Sequence, residues 1–168
     1  MNPTDPPSSS PPPPPAEAIA ADLDPADPDW PEFVRRVREH FRSETVTVHR
    51  AEPADGTLTL LAANPGLPEA LVQSIRTIPK GRGMAGVAAM EKRPVTTCNL
   101  ETDTANPAIR PGARAIGMRG AVVVPILAPD GETVKGTIGI GTVREHEYTP
   151  AEVKDLESLA RAIGARLL

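Results

Sequence analysis

Few side chains in this sequence could do covalent chemistry. Cys98 is the one cysteine, so it is the only thiol nucleophile, and neither an intrachain disulfide nor a zinc cluster can form. The three histidines, His40, His49 and His146, are too scattered for a metal site with useful spacing. No Ser/His/Asp set and no paired-carboxylate site presents itself. The cations say more. Arg82, Arg93, Arg110, Arg114 and Arg119 fall in one stretch, with the hydroxyls of Thr96, Thr97 and Thr102 among them. A guanidinium fork grips carboxylate or phosphate through two hydrogen bonds. The stretch therefore suits a small anion; its alternative is a solvated loop surface. Lys80-Gly81-Arg82-Gly83 lacks the Gly-Lys-Ser/Thr ending of a P-loop and reads as a turn that needs glycine.

The elements that must position these residues follow from patterning. Met1 to about Pro28 is low in complexity, with Pro11 to Pro15 following three serines. Such a segment buries too little to offset its ordering entropy, so we expect a disordered tail of polyproline II character. It serves as a spacer or as the target of a proline-binding partner. Asp29 caps a helix whose stripe is Trp30, Phe33, Val34, Val37 and Phe41. Thr45–His49 and Thr57–Leu61 alternate and predict an antiparallel hairpin with one buried face. Pro68–Ile75 predicts a short helix, Thr77–Pro79 an edge strand, Gly83–Glu91 a helix and Arg93–Thr97 a short strand. Cys98 to Met118 is a long loop, with one helical turn near Ala113–Ile116; loops of this length are often functional.

Gly120–Leu127 is a near-continuous apolar run, read as a strand buried on both faces. Val134–Val143 returns beside it, with Val134, Ile138 and Ile140 on one face. Gly136, Gly139 and Gly141 thin that strand and predict a close approach to its backbone. Thr149-Pro150 opens a last helix with the stripe Val153, Leu156, Leu159, Ala160, Ile163 and Leu167. Two terminal helices flanking an antiparallel sheet give an α+β layout. The net charge of −4, with no basic block, offers no footprint for nucleic acid. No apolar run approaches the ~20 residues that span a bilayer. The first positive side chain is Arg35, so no export signal is read and a cytoplasmic location is expected.

Five stretches in register resemble the GAF domain family. They are Ile78-Pro79-Lys80-Gly81-Arg82-Gly83-Met84-Ala85-Gly86, Arg93-Pro94-Val95 with Asn99-Leu100, Gly117 to Ile126, Gly136-Thr137-Ile138-Gly139-Ile140, and Tyr148-Thr149-Pro150-Ala151-Glu152. The resemblance covers residues 29–168. It implies a PAS-like antiparallel sheet of five or six strands, with both terminal helices on one face. A small-molecule pocket on the other face would lie under the segment 81–118. Members bind diverse small molecules, or only dimerise, so the fold does not fix the function.

The resemblance also orders the alternatives. Bilin and haem are disfavoured, because residues 66–118 contain no aromatic and no histidine, and Asn99 stands where phytochrome-type domains place a histidine after the cysteine. The Asn-Lys-Phe-Asp-Glu signature of cyclic-nucleotide members is absent. Free methionine sulfoxide reductases of the family use several cysteines, and Met84 occupies a position where they carry one; a reductase using Cys98 alone would need an external thiol. The resulting expectation is a sensory domain, not an enzyme, with no cofactor and no metal. It would bind a small polar or anionic ligand through Thr96, Cys98, Arg110, Arg114 and Arg119. Its output would run in trans, through a homodimer of terminal helices or a signalling partner. The alternatives are a Cys98 reductase and a ligand-free dimerisation scaffold.

Overall fold

The computed structural model describes residues 11–103, 117–166 and 168. Helix α1 (Glu17–Ala21) precedes α2 (Trp30–Phe41), strands β1 (Thr45–Ala51) and β2 (Leu58–Ala63), and helix α3 (Glu69–Ile75). Strand β3 (Thr77–Ile78), helix α4 (Gly83–Glu91), strands β4 (Val95–Thr97), β5 (Gly120–Leu127) and β6 (Val134–Thr142), and helix α5 (Pro150–Arg166) follow. The strands form one six-stranded sheet in the order β3-β2-β1-β6-β5-β4, every pair antiparallel. The expected α+β architecture is present.

The terminal helices start where their caps dictate. Asp29 accepts a hydrogen bond from the Glu32 N–H at 3.0 Å. Thr149 and Glu152 bond reciprocally, at 3.2 Å and 2.8 Å, as a capping box. Both helices lie on the sheet face formed by Val46, Val48, Val122, Val124, Ile126, Ile138 and Ile140. Phe33, Val34 and Val37 from α2, with Leu156, Leu159, Ala160 and Ile163 from α5, close that layer. Burying each larger side chain contributes about 1.5–3 kcal/mol.

The N-terminal expectation needs correction. Ala16, Ile19, Ala20 and Leu23 are buried, and α1 packs on α5 and α2 rather than belonging to a disordered tail. Four small or aliphatic residues at helical spacing suffice once an apolar surface is ready to receive them. The proline run dominated the composition and masked this short motif. Val134 departs from its expected face as well. The β5–β6 register shifts between Ile126 and Leu127, and Val134 packs with Leu58 and Ile78 rather than with Ile138.

Glycine sets how closely layers meet. A Cβ at Gly164 in α5 would run into the carbonyl oxygen of Leu127 on β5. Gly164→Ala should therefore destabilise the domain by about 1–3 kcal/mol, against the ~1 kcal/mol gain alanine gives in an unhindered helix. Urea unfolding of the two proteins measures the difference, and a more stable variant would contradict the packing.

Candidate functional site

The second sheet face carries a different row of residues. On β1 it presents Thr45, Thr47 and His49, directly opposite Gly141, Gly139 and Thr137 of β6. Alternation alone assigns this polar row to solvent. The structure buries His49 and leaves Thr45 and Thr47 half-buried. Helix α4 packs on β4, β5 and β6 through small residues, and Ala88 joins Val95 while Ala89 joins Leu58 and Ile78. Gly86 lets α4 sit close, since a Cβ there would lie 2.6 Å from the Pro79 carbonyl oxygen. The close approach predicted for β6 is also found. At Gly139 a Cβ would meet Val123 at 3.1 Å and Thr47 at 3.3 Å; at Gly141 it would meet Met118 and Thr45, both at 2.8 Å.

Two buried polar side chains sit together on this face. His49 is 2 % exposed and its cross-strand partner Thr137 is 0 % exposed. The His49 Nε2 lies 2.8 Å from the Ile75 carbonyl, which can only accept, so Nε2 carries the proton. In the neutral ring Nδ1 is then an acceptor, and neither it nor the Thr137 Oγ1 has a protein partner. An unsatisfied buried polar group costs about 1–3 kcal/mol. Arg38 Nε, Ser43 Oγ and the Tyr148 hydroxyl are buried without a protein partner as well, but only His49 and Thr137 face each other across paired strands. Burial pushes the His49 pKa below its ordinary value, against the opposing effect of the Ile75 bond.

The long segment after β4 is pinned at both ends beside this row. The Leu100 N–H donates to the Arg119 carbonyl at 2.8 Å, and the Arg119 N–H donates to Thr142 at 2.8 Å. Leu100 and Met118 are buried together against Met84 and Ala121. Asn99 holds Glu145 at 3.0 Å and caps the Glu101 N–H, also at 3.0 Å. Thr97 donates to Asp103 at 2.8 Å.

The sequence-predicted residues are not brought together. Thr96 is exposed and alternates away from Val95 and Thr97, which face α4. Cys98 is exposed, and its carbonyl accepts the His146 N–H at 3.1 Å. Arg119 is half exposed and lies 3.5 Å from Glu101. Arg110, Arg114 and the turn expected at residues 113–116 lie outside the described residues. Sequence reasoning missed His49 and Thr137. Their signal was present as the polar phase of two alternating strands, but which layer covers that phase is a tertiary fact. Elsewhere, a surface cleft of about 300 Å³ opens between Arg50, Glu52, Thr133 and Lys135; Arg50 is exposed and 3.8 Å from Glu52. Among the described residues no group of histidine, cysteine and carboxylate side chains is arranged to hold a metal, and no helix is long and apolar enough to cross a membrane.

The buried histidine predicts a pH dependence. The unfolded chain binds a proton near the ordinary value of 6.5, while the folded ring resists it. This contribution to stability is complete above that value and is lost as pH falls below it. Urea midpoints from about pH 8 to about pH 5 should drop in the lower half of the range, and His49→Gln should flatten that drop. A variant that tracks the wild type throughout would contradict a buried neutral ring.

The comparisons with known proteins agree with this fold. No curated protein matches the chain. Among solved structures, the GAF domain of a phosphoenolpyruvate-protein phosphotransferase from Coxiella burnetii is 19 % identical, with TM-score 0.70, over 89 % of this chain and 86 % of that one. The GAF domain of an Acinetobacter phosphoenolpyruvate-protein phosphotransferase is 15 % identical, with TM-score 0.68, over 89 % and 85 %. A free methionine-R-sulfoxide reductase from Neisseria meningitidis is 19 % identical, with TM-score 0.64, over 89 % and 81 %. At these identities the likeness is one of fold. The family model of the GAF domain matches residues 31–167, and the chain belongs to the GAF domain family.

Proposed function

We propose that this chain is a sensory or regulatory GAF domain that binds a small polar or anionic molecule on the second sheet face. The observation that carries the reading is the cross-strand pair His49 and Thr137, buried with an acceptor and a hydroxyl unengaged. A ligand with a hydroxyl or amide group satisfies both. Arg110 and Arg114 belong to the segment between the pinned ends Leu100 and Met118, and we assign them the anion; to the exposed Arg119, Thr96 and Cys98 we assign a share in the same ligand. Small residues on α4 and the absence of aromatics between residues 66 and 118 favour a small ligand over a flat chromophore. Ligand contact would shift α4 and the pinned ends relative to β6, whose other face carries α5. Output would then run in trans, through a second copy or a signalling partner meeting the terminal helices, from a location we take to be cytoplasmic.

The reductase alternative rests on Cys98 alone. It is exposed at the end of β4, and no second cysteine is present to resolve an oxidised sulfur. Native mass spectrometry of the full chain, purified gently from its own host, tests both readings. The sensory reading expects an added small-molecule mass that is lost on denaturation, retained in Cys98→Ser and reduced at least several-fold in Thr137→Val. Methionine sulfoxide reduction that disappears in Cys98→Ser would replace it with the enzyme reading.

A further inference from the structure

The hydrogen-bonding sense of the buried pair is fixed on one side. The Nε2–H of His49 is committed to the carbonyl of Ile75, the last residue of α3, at 2.8 Å. That leaves Nδ1 as a bare acceptor, and Thr137 faces the ring across the paired strands. The Thr137 hydroxyl has one proton to donate and lone pairs to accept with, and no protein atom meets either. The neighbours in the same cross-strand row offer nothing. Leu60 of β2 stands opposite His49, and Pro125 of β5, which has no N–H, stands opposite Thr137.

These needs sort the groups that could enter. A single hydroxyl satisfies both, because it donates its proton to Nδ1 while its oxygen accepts from Thr137. A carbonyl, carboxylate or phosphate oxygen can accept from Thr137 but sets its lone pairs against that of Nδ1. An amide or ammonium N–H group has protons for both atoms but no acceptor for the Thr137 proton. Moving the ring proton to Nδ1 would admit an oxo group, yet it would turn a bare Nε2 towards the Ile75 carbonyl and exchange one repulsion for another. Adding a second proton to the ring is opposed by its burial.

We propose that the His49–Thr137 pair selects a hydroxy compound over the oxo compound of the same carbon skeleton, with the ligand's hydroxyl bridging Nδ1 and the Thr137 Oγ1. The inference rests on the ligand reading above and narrows it: the occupant is a small hydroxy acid, held here by its hydroxyl and not by its carboxylate. A site that hydrogen-bonds a hydroxyl rejects the analogue lacking it, because its own buried groups are then left unpaired. The same bond has a second effect. A donor at Nδ1 polarises the ring and strengthens the Nε2–H bond to Ile75. Occupancy is thereby felt at the end of α3, a helix with no buried side chain of its own.

Calorimetric titration of the dialysed full chain with lactate against pyruvate, and with malate against oxaloacetate, tests it. In at least one pair the hydroxy member should bind roughly tenfold or more tightly than its oxo partner. His49→Gln, whose amide can turn a donor to the ligand, should remove that preference. NMR of the imidazole in the unaltered chain gives a second readout that needs no variant to fold. The hydroxy acid should move the His49 Nε2–H proton downfield and leave the ring neutral, and the oxo acid should do neither. An oxo member that binds as tightly as its hydroxy partner overturns the proposal, as does hydroxy-acid binding that leaves the ring signals unmoved. If no member of either pair binds while the chain from its own host carries a small-molecule mass, the hydroxy-acid class is wrong and the ligand reading stands. If that mass is absent too, both fall together.

Discussion

β1 and β6 lie side by side at the centre of the sheet, and their pairing from Thr45 opposite Gly141 to Arg50 opposite Gly136 holds two unlike layers in register. One face of the pair carries Val46, Val48, Ile138 and Ile140, which receive the terminal helices. The other carries threonines, His49 and glycines, which receive α4 and the ends of the segment after β4. A slip of one residue would exchange the two faces and bury the polar row against α2 and α5. Gly136 secures the end of this pairing, because a Cβ there would strike the backbone carbonyl of His49.

This asymmetry divides the labour between the layers. The helical layer is packed mainly from β-branched, leucine and phenylalanine side chains, with its polar groups, such as His40 and Asp155, between the helices. The second layer is thin. α4 contributes mainly alanine and glycine, and Gly139 and Gly141 lower the floor, so Met118 lies directly on the β6 backbone. Small residues bring backbones together and bury polar side chains of β1 and β6 away from water. His49 and Thr137 follow from that arrangement, and so does the low proton affinity of the imidazole. The same small residues limit any occupant of this face to something compact.

Asp155 plays a comparable part among the helices. Its two oxygens meet the first residue before α1 and the His40 ring of α2, so one carboxylate on α5 ties three helices together. The apolar contacts of Ile19 and Leu23 supply the rest. Neither contribution is visible in a local window, because the partners lie more than a hundred residues apart in the chain.

Much was determined by the sequence alone. Alternation in β1, the Asp29 and Thr149 caps, the stripe of α2 and that of α5 from Val153 to Ile163 are local patterns, and local physics reads them correctly. Leu167 of the α5 stripe lies outside the described residues, β2 is buried at Leu58 and half-buried elsewhere, and β5 alternates over its first half. The glycines of β6 announced a close approach without naming what approaches. Tertiary structure decided the rest. It buried His49 on the face of β1 that alternation assigns to water, turned Thr96 away from α4, left Cys98 exposed, and paired His49 with Thr137 across about ninety residues of chain. It also gave Ala16–Leu23 a surface on which to become a helix. The reason is the same in each case: a residue's period along the chain fixes which side of an element it occupies, whereas only packing fixes what lies on that side.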